Sequence, residues 1–217
     1  MALAFGNTNG TAIKSKVDSY EYKDGENIVR LIGGVLPRYL YWVKGTNDKN
    51  IPVECLAFDR QAEKFNNNEK DWVPEYFPEL KCSWSYAINC IDPKDSKVKV
   101  LNLKKKLFEQ VINASQDLGD PTDIETGWAI NFKRSKTGPL AYNISYDLNV
   151  LRCKKAPLTP EERAAAAAAE DIDTKYPRPT ADQIKDLLDK ITSGSSSDTE
   201  STAEEREAIR EAIKELD

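Results

Sequence analysis

Residues 26–34 read ENIVRLIGG. Aliphatic and β-branched side chains fill the stretch, Gly25 precedes it and the Gly33-Gly34 pair closes it, which is the pattern of a β-strand between turn residues. The same pattern repeats outward from it. Residues 39–44 (YLYWVK) predict a second strand rich in aromatics, and residues 51–58 predict a third beyond a turn-rich connector. Residues 83–92 (SWSYAINCID) predict a fourth, residues 97–103 a fifth after the Pro93 turn, and residues 127–134 and 140–151 a closing pair. One helix interrupts the series. Over residues 104–118, Leu107, Phe108, Val111 and Ile112 fall at helical spacing and Gly119 is placed to end the helix. Residues 59–81 are polar, contain Asn66-Asn67-Asn68, Pro74 and Pro78, and read as a long connection of the sort that often carries function.

Short strands broken by a single helix, within about 130 residues, imply a mainly β body: a five-stranded Greek-key barrel of the OB type. A β-sandwich is the alternative, which the inserted helix fits less well. The expected organisation is a flexible arm over residues 1–19, the barrel over 20–156, a helical extension over 157–192, and a Ser-rich linker with an acidic amphipathic tail over 193–217. The extension and tail repeat one start signal. Thr159–Glu162, with Pro160 at the first helical position, Thr180–Gln183 and Thr202–Glu205 are all capping-box sequences. The first helix is an alanine run over 164–169. The second carries Ile184, Leu187, Leu188 and Ile191 on one face, and the third carries Ile209, Ile213 and Leu216. Residues 193–217 read as a mobile appendage, not a packed domain.

Charge separates along the same boundary. Residues 1–156 hold 23 basic and 20 acidic side chains, whereas residues 157–217 hold 8 and 16. A mildly cationic body with an anionic tail suits a body that meets a polyanion, although acidic tails also serve solubility alone. The chain has no histidine, which removes Ser/His/Asp and Cys/His nucleophilic sites. Its four cysteines, Cys55, Cys82, Cys90 and Cys153, form no Cys-x-x-Cys pair, so free thiols and no metal or cofactor are expected. No apolar run approaches the ~20 residues of a spanning helix, and no secretory leader is visible, so a cytoplasmic location is expected.

Aromatics interleaved with basic residues are the chief chemical signal. Arg30, Arg38, Tyr39, Tyr41, Lys44, Lys81, Trp84 and Tyr86 lie on or beside predicted strands. Lys104, Lys105 and Lys106 open the helix, and Lys133, Arg134, Lys136, Tyr142 and Tyr146 belong to the last hairpin. Aromatic faces stack unpaired bases and cations hold phosphates, so the combination points to single-stranded nucleic acid. Trp42, Phe108, Trp128 and Phe132 are read as core, Tyr41, Tyr86 and Tyr146 fit core or stacking equally well, and the lysine run also suits a solvated helix face. The carboxylates Asp120, Asp123 and Glu125 admit a rival reading as a metal-dependent nuclease, against their ordinary use as turn residues. An OB-fold that reads RNA is a further alternative, and a structural adaptor acting through the terminal helix is another.

The order GENIVRLIGG, WSYAINCIDPKD, KVKVLNLKKKLFEQV, GDPTDIETGW and KAPLTPEE resembles the T-even-type phage single-stranded DNA-binding (helix-destabilising) proteins over roughly residues 20–190, in a shorter form. The resemblance implies a non-enzymatic OB-fold that coats single-stranded DNA without sequence preference in phage replication, recombination and repair, in the host cytoplasm. It places Arg30, Trp84, Tyr142, Lys105 and Lys106 toward DNA. The family's zinc subdomain is not carried over, because residues 59–81 have neither cysteine nor histidine, and Lys14 and Lys16 are only a faint echo of its basic arm. Self-association along DNA is the partner relation this arm would serve. The tail, through Ile209, Ile213, Leu216, Glu211, Glu215 and Asp217, takes the role of recruiting replication and recombination proteins.

Overall fold

A computed structural model describes residues 17–45, 49–140 and 143–193. In chain order its elements are β1 (Gly25–Leu36), β2 (Tyr39–Lys44), β3 (Asn50–Glu54), β4 (Phe58–Asp59), β5 (Lys64–Phe65), α1 (Val73–Tyr76), β6 (Ser83–Trp84), β7 (Ala87–Asp92), β8 (Lys97–Asn102), α2 (Lys105–Leu118), β9 (Ala129–Lys136), β10 (Ile144–Leu148), α3 (Pro160–Ala168), α4 (Ile172–Lys175) and α5 (Ala181–Thr192). The protein is mainly β, and its strand pairs are antiparallel. Five strands form the main sheet in the order β10-β9-β1-β7-β8, and β3-β2-β6 form a second.

β1 is long because it serves two partners. Its first half, Gly25 to Arg30, pairs with β9, and its second half, Arg30 to Leu36, pairs with β7. Between Ile32 and Val35 the register slips at Gly33-Gly34, where Gly33 has φ +71°, a conformation that side chains resist. The anticipated single strand over 83–92 is two. Ser83-Trp84 pair with Leu40-Tyr39, whereas Ala87 to Asp92 pair with β1 and β8, so the chain changes sheets at Ser85-Tyr86. Two other anticipated strands are shorter than their sequence patterns. Residues 51–58 yield β3 and a separate β4, and residues 140–151 yield β10 followed by a 3-10 turn at Val150–Arg152. The polar connection is also structured, since β4 and β5 make a hairpin and α1 follows.

The sheet is covered on both sides, and this explains why all six residues of β7 are buried when alternation alone would expose half. On one side Val29, Leu31, Ile88, Cys90, Leu101, Ile130 and Phe132 pack with Trp128 and with Leu107 and Val111 of α2. On the other side lies the extension. Leu158 packs with Ile32 and Ile91, with Ala166 and Ala169 against them, so the methyls of the alanine helix are its contact face. Ile172 packs with Leu36, Ala87 and Val100. Both anticipated capping boxes are formed, at Thr159/Glu162 and Thr180/Gln183. Ile184 and Leu188 of α5 join the main core. The third box, at 202–205, lies outside the described residues.

Polar groups pin the extension to the polar connection. Glu54 is buried and takes both nitrogens of the Arg60 fork, at 2.7 and 2.6 Å, and Arg178 at 3.2 Å. Arg60 also donates to the Tyr176 carbonyl, and Arg178 donates to the carbonyls of Leu56 and Phe58. Asn89 on β7 donates to the Glu170 carbonyl and accepts from Lys175.

Candidate nucleic-acid interface

The site is built where α2 begins. Lys104 occupies the cap position but supplies no side-chain cap, and the first turn of α2 carries no acidic residue. The helix therefore starts with unsatisfied backbone N–H groups, a partial positive charge and three consecutive lysines. Gln110 fixes the helix to β10, donating to the Tyr146 carbonyl at 3.0 Å and accepting from the Leu148 amide at 2.6 Å. On the other flank the Trp84 indole N–H donates to the Leu103 carbonyl at 2.9 Å, so β6 is hung on the residue just before the helix.

From this point aromatic rings run in two directions. Trp84 stacks on Tyr86 with centroids 3.5 Å apart and planes 13° from parallel, and both rings touch Phe108. Tyr39 meets Trp84 and Tyr86 edge-on and continues to Phe58 and Phe65 at 4.8 and 5.1 Å. Phe65 ends this row 54% exposed, in a hairpin whose other residues from 61 to 70 are all exposed. In the other direction Lys104 lies 5.9 Å over both Tyr22 and Tyr146, which contact each other at 5.2 Å. Lys105 projects into solvent, as do Lys64 and Lys81. Lys106 is exposed too, and faces Asp147 at 3.7 Å.

The structure thus brings Tyr39, Trp84, Tyr86, Lys104, Lys105 and Tyr146 into one neighbourhood. Burial corrects five of the expected contact residues. Tyr86 and Tyr146 are sealed into the core and act as supports for Trp84 and Lys104. Tyr41 is buried with its hydroxyl donating to Asp71 at 3.0 Å. Arg38 is buried with its guanidinium 3.8 Å above the Tyr176 ring. Arg30 is only 5% exposed and donates to the Asp123 carbonyl. Its burial lowers its pKa, offset by the charges of Glu162, Asp123 and Asp120. Gly127 presses on this guanidinium so closely that a Cβ there would lie 2.6 Å from Nη2 and 2.3 Å from the Asp123 carbonyl.

Lys44 is exposed at the end of β2, and Lys133 and Lys136 are exposed on β9, apart from the aromatic row. Arg134 pairs with Asp24. Tyr142 and all six tail residues lie outside the described residues. Of the readings made as core, Trp128 and Phe132 are fully buried, whereas Trp42 and Phe108 are half-buried. Sequence reasoning missed Tyr22 and Phe65. Phe65 stands alone in a polar run, and its only sequence signal is that an isolated aromatic there has no local core to enter.

The carboxylates of the rival nuclease reading are occupied. Asp120 Oδ1 accepts from the Thr122 amide at 2.8 Å and from its hydroxyl at 2.7 Å. Asp123 accepts from the Thr126 and Glu125 amides, which hold its pKa below the usual carboxylate range. Glu125 is lowered by its bidentate pair with Arg163. These three build a turn and anchor α3.

No family model matches the chain. Over 139 residues it is 32% identical to a protein of Escherichia phage T5 described as a probable ssDNA-binding protein. The match takes in 58% of this chain and 54% of that relative, so the chain spans about half the length of the curated relative it matches.

Proposed function

We propose that this protein is a single-stranded DNA-binding protein of the T-even phage type in its shorter form, without enzymatic activity. In this reading it coats exposed strands in the host cytoplasm during phage replication, recombination and repair; the similarity to the phage T5 protein described as a probable ssDNA-binding protein supports the binding of single-stranded DNA. Its body is read as an OB-type barrel, in keeping with five antiparallel strands and a helix between β8 and β9. The acidic tail is assigned the recruitment of replication and recombination proteins.

The observation that carries the reading is the aromatic row from Phe65 through Tyr39 to Trp84, ending at the lysine-flanked, uncapped start of α2. Unstacked bases gain about 1–3 kcal/mol each on such rings, with little regard to base identity. Phosphates gain from Lys104, Lys105 and the orphan N–H groups. A duplex keeps its bases stacked internally and offers none to the row.

The test is fluorescence anisotropy with labelled oligo-dT, oligo-U and a matched duplex over a series of salt concentrations. The expected result is salt-dependent binding of oligo-dT with quenching of tryptophan and weak duplex binding. Absence of oligo-dT binding at low salt overturns the reading, and preference for oligo-U replaces DNA by RNA.

A further inference from the structure

The four cysteines are free thiols, and the second sheet brings two of them together. Cys55 follows β3, its amide donating to the Tyr39 carbonyl at 2.9 Å, and Cys82 immediately precedes β6. β2 lies between those strands, and the two thiols become neighbours at the buried Tyr41 side chain. Cys55 Sγ stands 3.5 Å from the Tyr41 hydroxyl and 3.2 Å from Asp71 Oδ2. That carboxylate is held in place from two directions. Oδ2 accepts from the Tyr41 hydroxyl at 3.0 Å, and Oδ1 accepts from the Val73 amide at 3.2 Å.

The two sulfurs differ in access. Cys55 is 1% exposed, whereas Cys82 is half-buried beside the exposed Lys81. The neighbouring Cys55 thiol brings the Cys82 pKa down to about 7, while Cys82 and burial together push Cys55 up. An accessible sulfur that ionises near neutral pH, next to a buried thiol aimed at a carboxylate, divides the labour of thiol–disulfide exchange: the first attacks and the second resolves. The other two cysteines lack this arrangement. Cys90 is fully buried in β7, and Cys153 is buried with its thiol on the Asn149 carbonyl at 3.4 Å.

We propose that Cys55 and Cys82 form a thiol–disulfide exchange site whose substrate is a small-molecule disulfide. The Cys82 thiolate attacks one sulfur of the substrate and breaks its S–S bond. Half of the substrate leaves as a thiolate, and half stays on Cys82 as a mixed disulfide. Cys55 then attacks the Cys82 sulfur, passes its proton to Asp71, and expels the second half as a thiolate. The protein gives up two electrons and two protons, and the substrate becomes two thiols. The product is an internal disulfide that ties β6, and with it Trp84, to the end of β3. This inference is independent of the nucleic-acid reading.

The test treats the reduced full chain with increasing ratios of glutathione disulfide, quenches in acid, and reads intact mass and a non-reducing peptide map. Wild type should lose the mass of two hydrogens, retain no glutathionyl group, and yield one cross-linked peptide joining Cys55 to Cys82. Cys90 and Cys153 should still be alkylated after unfolding. Cys55→Ala should stop with a glutathionyl group on Cys82, and Cys82→Ala should react at least about tenfold more slowly. Asp71→Asn should slow closure by about tenfold or more, so that the mixed disulfide accumulates. A mixed disulfide that persists in wild type overturns the proposal. So does a cross-link to Cys90, to Cys153 or to a second chain, and so do four thiols still free at a ratio that oxidises the unfolded chain. Closure of Asp71→Asn at the wild-type rate overturns the proton route through Asp71.

Discussion

Two regions of this protein use the same residue vocabulary to opposite ends. Beneath the extension, Arg38, Arg60 and Arg178 meet Glu54, Tyr176 and a set of backbone carbonyls, and every one of these groups is drawn inward. At the start of α2, Lys104 lies over Tyr22 and Tyr146, Lys105 projects into solvent, and Trp84, bonded to the Leu103 carbonyl, begins the row that runs through Tyr39 to Phe65. Cations beside aromatics are a structural clamp in the first place and a candidate ligand surface in the second. The difference lies in what else is present. A buried carboxylate and backbone carbonyls take up arginine donors, whereas the exposed Lys105 offers its ammonium to solvent or a bound phosphate.

The sharpest way to break this contrast is to remove the carboxylate. Glu54→Ala removes the buried carboxylate that two largely buried arginines share, and should cost about 3 kcal/mol in urea-induced unfolding. A loss within the range of an exposed ion pair would show that the clamp is not what binds the extension. Gly127→Ala tests the neighbouring buried guanidinium of Arg30. The added methyl has no room, and overpacking of this kind should lower stability by about 1–3 kcal/mol. On the open side, Phe65→Ala removes an exposed ring. It should weaken oligo-dT binding by about 5- to 150-fold while leaving the melting temperature nearly unchanged. Equal binding by this variant would move the strand off the aromatic row. Lys105→Ala should act more gently, weakening all sequences alike and reducing the salt slope of binding by about one.

The smallest effect is chemical. Interaction with the neighbouring Cys55 thiol brings the Cys82 pKa down to about 7, whereas burial pushes Cys90 up to about 12. Alkylation of Cys82 should therefore rise with pH to half its maximal rate near pH 7, with Cys90 silent. Cys55→Ala, which removes the donor, should shift that midpoint upward, and an unshifted midpoint would remove Cys55 as the cause.

Much of the fold was legible because local signals and packing agree. The strand at ENIVRLIGG, the α2 spacing closed by Gly119, and both capping boxes of the extension are read from a few residues each. What escaped the sequence was set by distant partners. The alternation of residues 83–92 is continuous, so nothing local marks Ser85-Tyr86 as the point where one strand becomes two. The burial of Arg30 depends on a loop about 90 residues away, and that of Arg38 on Tyr176. A basic residue on a predicted strand reads as exposed until the segment that covers it is known. Trp84 was legible in kind, as an aromatic beside lysines, but its support by Tyr86 and the prominence of Phe65 follow from packing alone.

The extension across the outer face of β7 has a consequence for how the chain is made. Ile91 and Ala87 leave the ribosome early, whereas Leu158 and Ile172, which cover them, are synthesised some 70 to 85 residues later. At about 5–20 residues per second that interval lasts several seconds or more. During it the central strand presents an apolar face to its surroundings. The nascent chain is then at its most aggregation-prone, and a chaperone that shields sheet surfaces should raise the yield of folded protein far more than it raises the stability of the finished molecule.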